Sequence, residues 1–202
     1  MTLPPSVSAA VVLPLCLFSP VAFASDAGKR QTEVHLKFDG DSAEPKWTPQ
    51  NDNVMGGVSK GDASVQDGSL VFKGSLSLEN NGGFAQVRIQ DLKVDLRGKK
   101  GMKLRVMGDG RTYQLRLATD ARHRGSAIAY SVEFPTKAEQ WTEVEVRFAD
   151  LKISHHGDEL DGPPVNLSQV EEMSFLIGDK REGPFSLKVH WMKADSRGAE
   201  RW

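Results

Sequence analysis

The chain has 202 residues, with 26 Lys and Arg against 27 Asp and Glu for a net charge of −1, and it is 39% hydrophobic and 26% charged. This is ordinary globular composition. The near-neutral balance argues against a nucleic-acid binder that needs a strongly basic face, and the charge density excludes a multi-span membrane protein.

In chain order, the first element is an uncharged leader: none of residues 1–24 is Asp, Glu, Lys or Arg. Its apolar stretch starts at Val11, is broken by Pro14 and Pro20, and closes on Ala22-Phe23-Ala24. That pattern reads as a secretory signal peptide cleaved after Ala24, with a periplasmic or secreted domain over 25–202 and no stable membrane insertion. A short membrane anchor is the alternative, because no Lys or Arg precedes the apolar run. A lipid on Cys16 is a weaker one, since Leu15 is bulkier than the small residue such processing wants. Cys16 is the sole cysteine. The mature domain therefore has no disulfide and no thiol chemistry, and it stands on a hydrophobic core, which a domain of this size can build.

Segments 34–38, 69–73, 75–79 and 84–90 are short, rich in β formers and bounded by turn residues. Period-two alternation then recurs: Met102, Leu104 and Val106; Tyr113, Leu115 and Leu117 against Gln114 and Arg116; Ile128, Tyr130, Val132 and Phe134; Val144, Val146 and Phe148. Residues 152–165 read as a long irregular surface loop, and 166–169 as a single helical turn before a strand at 173–177. Phe185, Leu187, Val189 and Trp191 form the last run. Each strand offers one face to a core and one to water, which is the antiparallel pattern. About ten such strands with Gly-rich turns make an all-β sandwich or barrel, and both ends of the mature chain, 26–31 and 195–202, look frayed.

The densest polar segment runs from Trp47 through Asn51-Asp52-Asn53-Val54-Met55-Gly56-Gly57-Val58-Ser59 to Gly61. Asx side chains bond nearby backbone and glycines allow positive φ, so an elaborate turn is the plain reading. Asp52 and Asn53 could also hold a hard cation, or bond a sugar or peptide beside Trp47. Asn80-Asn81-Gly82-Gly83 reads as a hairpin turn, and Gly108-Asp109-Gly110-Arg111 as an Asx-turn or a local Asp–Arg pair. His155 and His156 point opposite ways on an extended chain and make a poor metal pair. Arg122-His123-Arg124 reads as an exposed loop. The nucleophile elbow, zincin, phosphate-loop and dinucleotide motifs are missing. No catalytic residue, metal ligand or cofactor is therefore expected.

The run from Trp47 to Ser59 resembles the W…NDxVMGGVS motif of the complex I intermediate-associated protein 30 family. Four further stations follow in that family's order: Asn80 to Phe84 with Arg88; Gly108 to Tyr113; Trp141 with Val144 to Phe148; and Gly178-Asp179-Lys180 with Gly183-Pro184-Phe185. The resemblance spans about residues 38–194. It implies an antiparallel jelly-roll β-sandwich of the galactose-binding-domain-like kind, non-enzymatic, acting as an assembly factor or chaperone through a protein partner. It places partner contacts on the loops, at Trp47, Asn51, Asp52, Asn53, Met55, Asp109 and Arg111. The family's Arg-Gly pair after the W…F strand is replaced here by His156-Gly157. An exported chain does not meet the cytoplasmic arm of complex I, so the client stays open. The alternative is a carbohydrate-binding module with Trp47 and Trp141 as stacking platforms. The same glycines, Met55 and tryptophans could instead be turns and core of the fold.

Overall fold

The computed structural model describes residues 35–38, 46–155 and 158–195; the leader, the frayed end expected at 26–31, residues 196–202 of the one expected at 195–202, and His156-Gly157 lie outside the described residues, while Asp195 ends a strand rather than fraying. The strands are β1 His35–Lys37, β2 Thr48–Asn51, β3 Lys60–Gln66, β4 Ser69–Leu76, β5 Ala85–Ile89, β6 Gly101–Met107 and β7 Thr112–His123. They continue with β8 Ser126–Pro135, β9 Trp141–Arg147, β10 Lys152–His155, β11 Asp158–Glu159, β12 Val170–Ile177 and β13 Gly183–Asp195.

They form two antiparallel sheets. One runs β3-β4-β13-β6-β9, with β1 added against β13; the other runs β11-β10-β8-β7-β12-β5-β2. Successive side chains on a strand point to opposite faces. The apolar set of each alternation therefore faces the other sheet, with Phe72, Leu104, Leu187 and Val189 from the first and Val87, Leu115, Phe175 and Ile177 from the second, all fully buried. This is the expected jelly-roll β-sandwich.

Several local expectations change. Segment 69–73 and the start of segment 75–79 are one strand, β4, which runs on through Gly74 and ends at Leu76. Only glycine fits at position 74, because an added Cβ would fall 1.8 Å from the Lys60 carbonyl oxygen on β3. β2 and β3 carry Pro49 and mostly polar residues, so no apolar alternation announces them; both are edge strands, where proline is tolerated. Part of the expected 152–165 loop pairs with β8 as β10, Ile153 lying opposite Tyr130. Residues 166–169 make a hydrogen-bonded turn held by the Asn166 side chain rather than a helix. Arg122 and His123 lie in the β7–β8 hairpin rather than in a loop, and Arg122 pairs with Glu171. The expected Asn80–Gly83 hairpin is an arch, as is the Gly178–Gly183 turn: β4 and β5 lie in different sheets, and so do β12 and β13.

Candidate functional site

Asp52 opens a short 3₁₀ turn, Asp52–Met55, that ends on Gly56 at φ +92°. Its side chain is fully buried. Oδ1 accepts the Ser59 amide at 3.0 Å, while Oδ2 accepts the Ser59 hydroxyl at 2.6 Å, the Gly83 amide at 2.7 Å and the Phe84 amide at 3.3 Å. Burial pushes this carboxyl up, but the hydrogen bonds together outweigh burial and hold it below its ordinary value. One carboxylate thus ties the 52–59 turn to the arch between β4 and β5. Both Asp52 oxygens accept from protein donors, so the carboxylate serves as a hydrogen-bonded tie between the two loops.

A second knot forms at the other arch. Arg111, 6% exposed, donates from Nε to Asp179 Oδ2 at 3.0 Å and from Nη2 to Oδ1 at 2.5 Å. It also donates to the carbonyls of Arg181, Gly183 and Pro184. The Arg111 hydrogen bonds hold the Asp179 carboxyl below its ordinary value against the effect of burial. Asp109 makes the expected Asx-turn to the Arg111 amide, but it bonds the Tyr113 hydroxyl and the Ser186 amide rather than the guanidinium. The partner of Arg111 lies 68 residues away, not two.

These two lowered carboxyls set a pH dependence. Each contributes stability that is fully present above the ordinary value of 3.8 and is lost as pH falls through its folded value. Glu172 works the other way: burial raises it above 4.5 despite Arg88 and Arg116, so its contribution is present below 4.5 and lost as pH rises through the raised value. Below 4.5 the Glu172 contribution is constant, so calorimetry is expected to show a lower melting temperature at about pH 2.5 than at about pH 4.5. Equal midpoints would contradict the carboxylate knots.

The outer face of the seven-stranded sheet forms a cleft of about 960 Å³. Its floor is polar: Gln86 and Ser174 are buried there, Arg88 Nη1 reaches Glu172 Oε2 at 3.3 Å, and Arg116 Nη1 reaches Gln86 Oε1 at 3.2 Å. Val54 and Met55 line the cleft yet stand 64% and 58% exposed.

The expected site residues therefore separate. Asn53 and Met55 face solvent, and Asn51 is half-buried with its amide on the Gly61 carbonyl. Asp52, Asp109 and Arg111 are occupied in the two knots. Trp47 is no stacking platform: it is buried against Phe175, ring centroids 5.7 Å apart, and Phe38. Trp141, 36% exposed, lies on β9 of the other sheet under the Arg105 guanidinium. It neither fills the core nor shares a face with the cleft. Sequence reasoning missed Arg88, Arg116, Glu172, Gln86 and Ser174 as a group. The available signal was their place at the outward positions of alternating strands, which reads simply as a solvated face.

The family model described as complex I intermediate-associated protein 30 matches residues 36–189. The mitochondrial complex I intermediate-associated protein 30 of Mus musculus is 27% identical over 169 residues, covering 73% of this chain and 51% of that protein. The chain thus spans about half the length of this relative. Among solved structures, the family 11 carbohydrate-binding module of a cellulosomal cellulase from Clostridium thermocellum superposes with a TM-score of 0.58 at 8% identity, covering 83% of this chain and 98% of that one. A family 30 carbohydrate-binding module gives 0.53 at 15%, covering 85% and 92%. At such identities the likeness is one of fold, a sandwich of the galactose-binding-like kind. With the family motif built into the two knots and the family model spanning both sheets, this chain belongs to the complex I intermediate-associated protein 30 family.

Proposed function

We propose that this chain is a non-catalytic binding domain of the assembly-factor type, exported by its leader, that holds a protein partner in the cleft of the seven-stranded sheet. The observation that carries the reading is the pair Val54 and Met55. Two large apolar side chains are held in water on a turn fixed from beneath by a buried carboxylate. Rigidly presented apolar side chains beside a polar cleft suit a protein contact, and the name of the mouse relative supplies the assembly-factor sense.

The test is capture of partners from cell-envelope extract by the tagged, exported protein, whose amino terminus is expected at Ser25. Substituting Val54→Asp and Met55→Asp together is expected to lower capture at least about tenfold, with stability within about 0.5 kcal/mol because both side chains are exposed. Unchanged capture sinks the reading.

Glycan binding is the second reading, favoured by the polar floor of Gln86, Ser174 and Arg88. Against it, Phe84 is the single aromatic residue among the described residues that line the cleft, which leaves little ring surface there for a sugar to stack on. Strong hits on a glycan array, abolished by Gln86→Ala, would favour it over a protein partner.

A further inference from the structure

The strand register lays a row of side chains across the cleft floor. Thr48 on β2 pairs with Arg88 on β5, Arg88 with Ser174 on β12, Ser174 with Arg116 on β7, Arg116 with Ser131 on β8, and Ser131 with Lys152 on β10. Arg88, Arg116 and Lys152 thus stand on every second strand, separated by serines. Neighbouring strands lie about 4.8 Å apart, so the cations repeat at about 9.6 Å. Among the described residues, two carboxylates, Glu172 and Glu159, share the lining with these three cations and leave one positive charge over. Of the two guanidiniums, Arg116 is the one with no hydrogen-bonded carboxylate, although Glu172 attracts it through space. Glu172 is hydrogen-bonded to Arg88, whereas the hydrogen-bond partner of the Arg116 side chain is the neutral Gln86 amide. Both of its neighbours in the row are short hydroxyls, and its Nε is buried without a protein acceptor.

A polypeptide in polyproline II conformation rises about 3.1 Å per residue with three residues per turn, so side chains three apart point the same way about 9.3 Å apart. That repeat matches the cation row.

We infer that the cleft selects an acidic extended segment of its partner, with carboxylates at every third residue laid along Arg88, Arg116 and Lys152; this rests on the reading of the cleft as a protein-binding face. Arg116 supplies the principal contact, because a guanidinium takes a carboxylate through two parallel hydrogen bonds. Val54 and Met55 cover the apolar parts of the same segment at the rim.

The test titrates the isotope-labelled, exported protein with the peptide Glu-Pro-Pro-Glu-Pro-Pro-Glu, with its Gln analogue, with a peptide carrying the same glutamates in adjacent positions, and with an oligouronate. The first peptide is expected to shift the amides of Arg88, Arg116 and Ser131 and to bind at least about tenfold tighter than the Gln analogue. Arg116→Gln removes that preference, while Arg116→Lys keeps part of it. Equal binding of the Glu and Gln peptides in the cleft overturns the charge selection and leaves the cleft standing as a polypeptide site. Equal binding of the adjacent-glutamate peptide overturns the spacing. Tighter binding of the oligouronate overturns the polypeptide assignment. Absence of binding by all four overturns the inference, and the Val54 and Met55 capture experiment then decides separately on the cleft.

Discussion

Replacing Arg111 by Met is expected to cost about 3 to 5 kcal/mol of unfolding free energy, the range for breaking a buried ion pair from one side. For a domain of this size that lowers the melting temperature by about 10 °C. The side chain leaves the residue just before β7 of one sheet and bonds Asp179 and Arg181, ahead of β13 of the other, and Gly183 and Pro184 at its start. Its loss strands the Asp179 carboxylate, whose side chain is 12% exposed, along with three carbonyls. Arg111→Lys should recover less than half of this, because an ammonium cannot reproduce the planar fork that serves both carboxylate oxygens and the backbone at once. The double change Arg111→Met with Asp179→Leu should lose less than Arg111→Met alone, since removing both charges leaves neither one buried unpaired. Chemical denaturation measures all three variants. A loss below about 1 kcal/mol for Arg111→Met would show the pair to be an ordinary surface contact.

Asp52→Ala carries the second large effect, about 3 kcal/mol. It leaves the amides of Ser59, Gly83 and Phe84 and the Ser59 hydroxyl without their acceptor in a buried place. Asp52→Asn should lose about half as much, since one amide oxygen still accepts. Two glycines of the family motif are explained by the same carboxylate. A Cβ on Gly57 would lie 2.4 Å from Asp52 Cγ, and one on Gly82 2.5 Å from Oδ2. Gly57→Ala should therefore destabilise by about 2 kcal/mol through displacement of Asp52. Partner capture should fall with Asp52→Ala although Asp52 touches no partner, because the turn that presents Val54 and Met55 loses its support. Denaturation and capture measured on the same variants check both parts. Wild-type capture by a destabilised Asp52→Ala would separate the turn from the binding surface.

Much of the sandwich was legible in one dimension. Period-two runs such as Tyr113-Leu115-Leu117 and Phe185-Leu187-Val189 mark strands with one buried face, because alternation follows directly from the pleat. Short strands such as β2 and β10 were not legible, since a short strand with few buried positions leaves no period to read. The family motif pointed to the correct loops but not to their chemistry. Asp52, Arg111 and Trp47 look like exposed contacts in a polar, Gly-rich sequence; the fold buries all three, and the residues it leaves facing solvent are Asn53, Val54 and Met55.

The amino-acid sequence by itself determined the fold class and the positions of the turns, because hydrophobic period and glycine placement act locally along the chain, and its motifs carried the family resemblance. Only the tertiary structure decided which polar residues meet. Arg111 finds Asp179 across 68 positions, and Arg88, Arg116 and Lys152 become one row through the register of strands distant in sequence. An outward strand position has the same sequence pattern whether it faces open water or the floor of a cleft. The pairing of neighbouring strands turns that ambiguity into a binding surface.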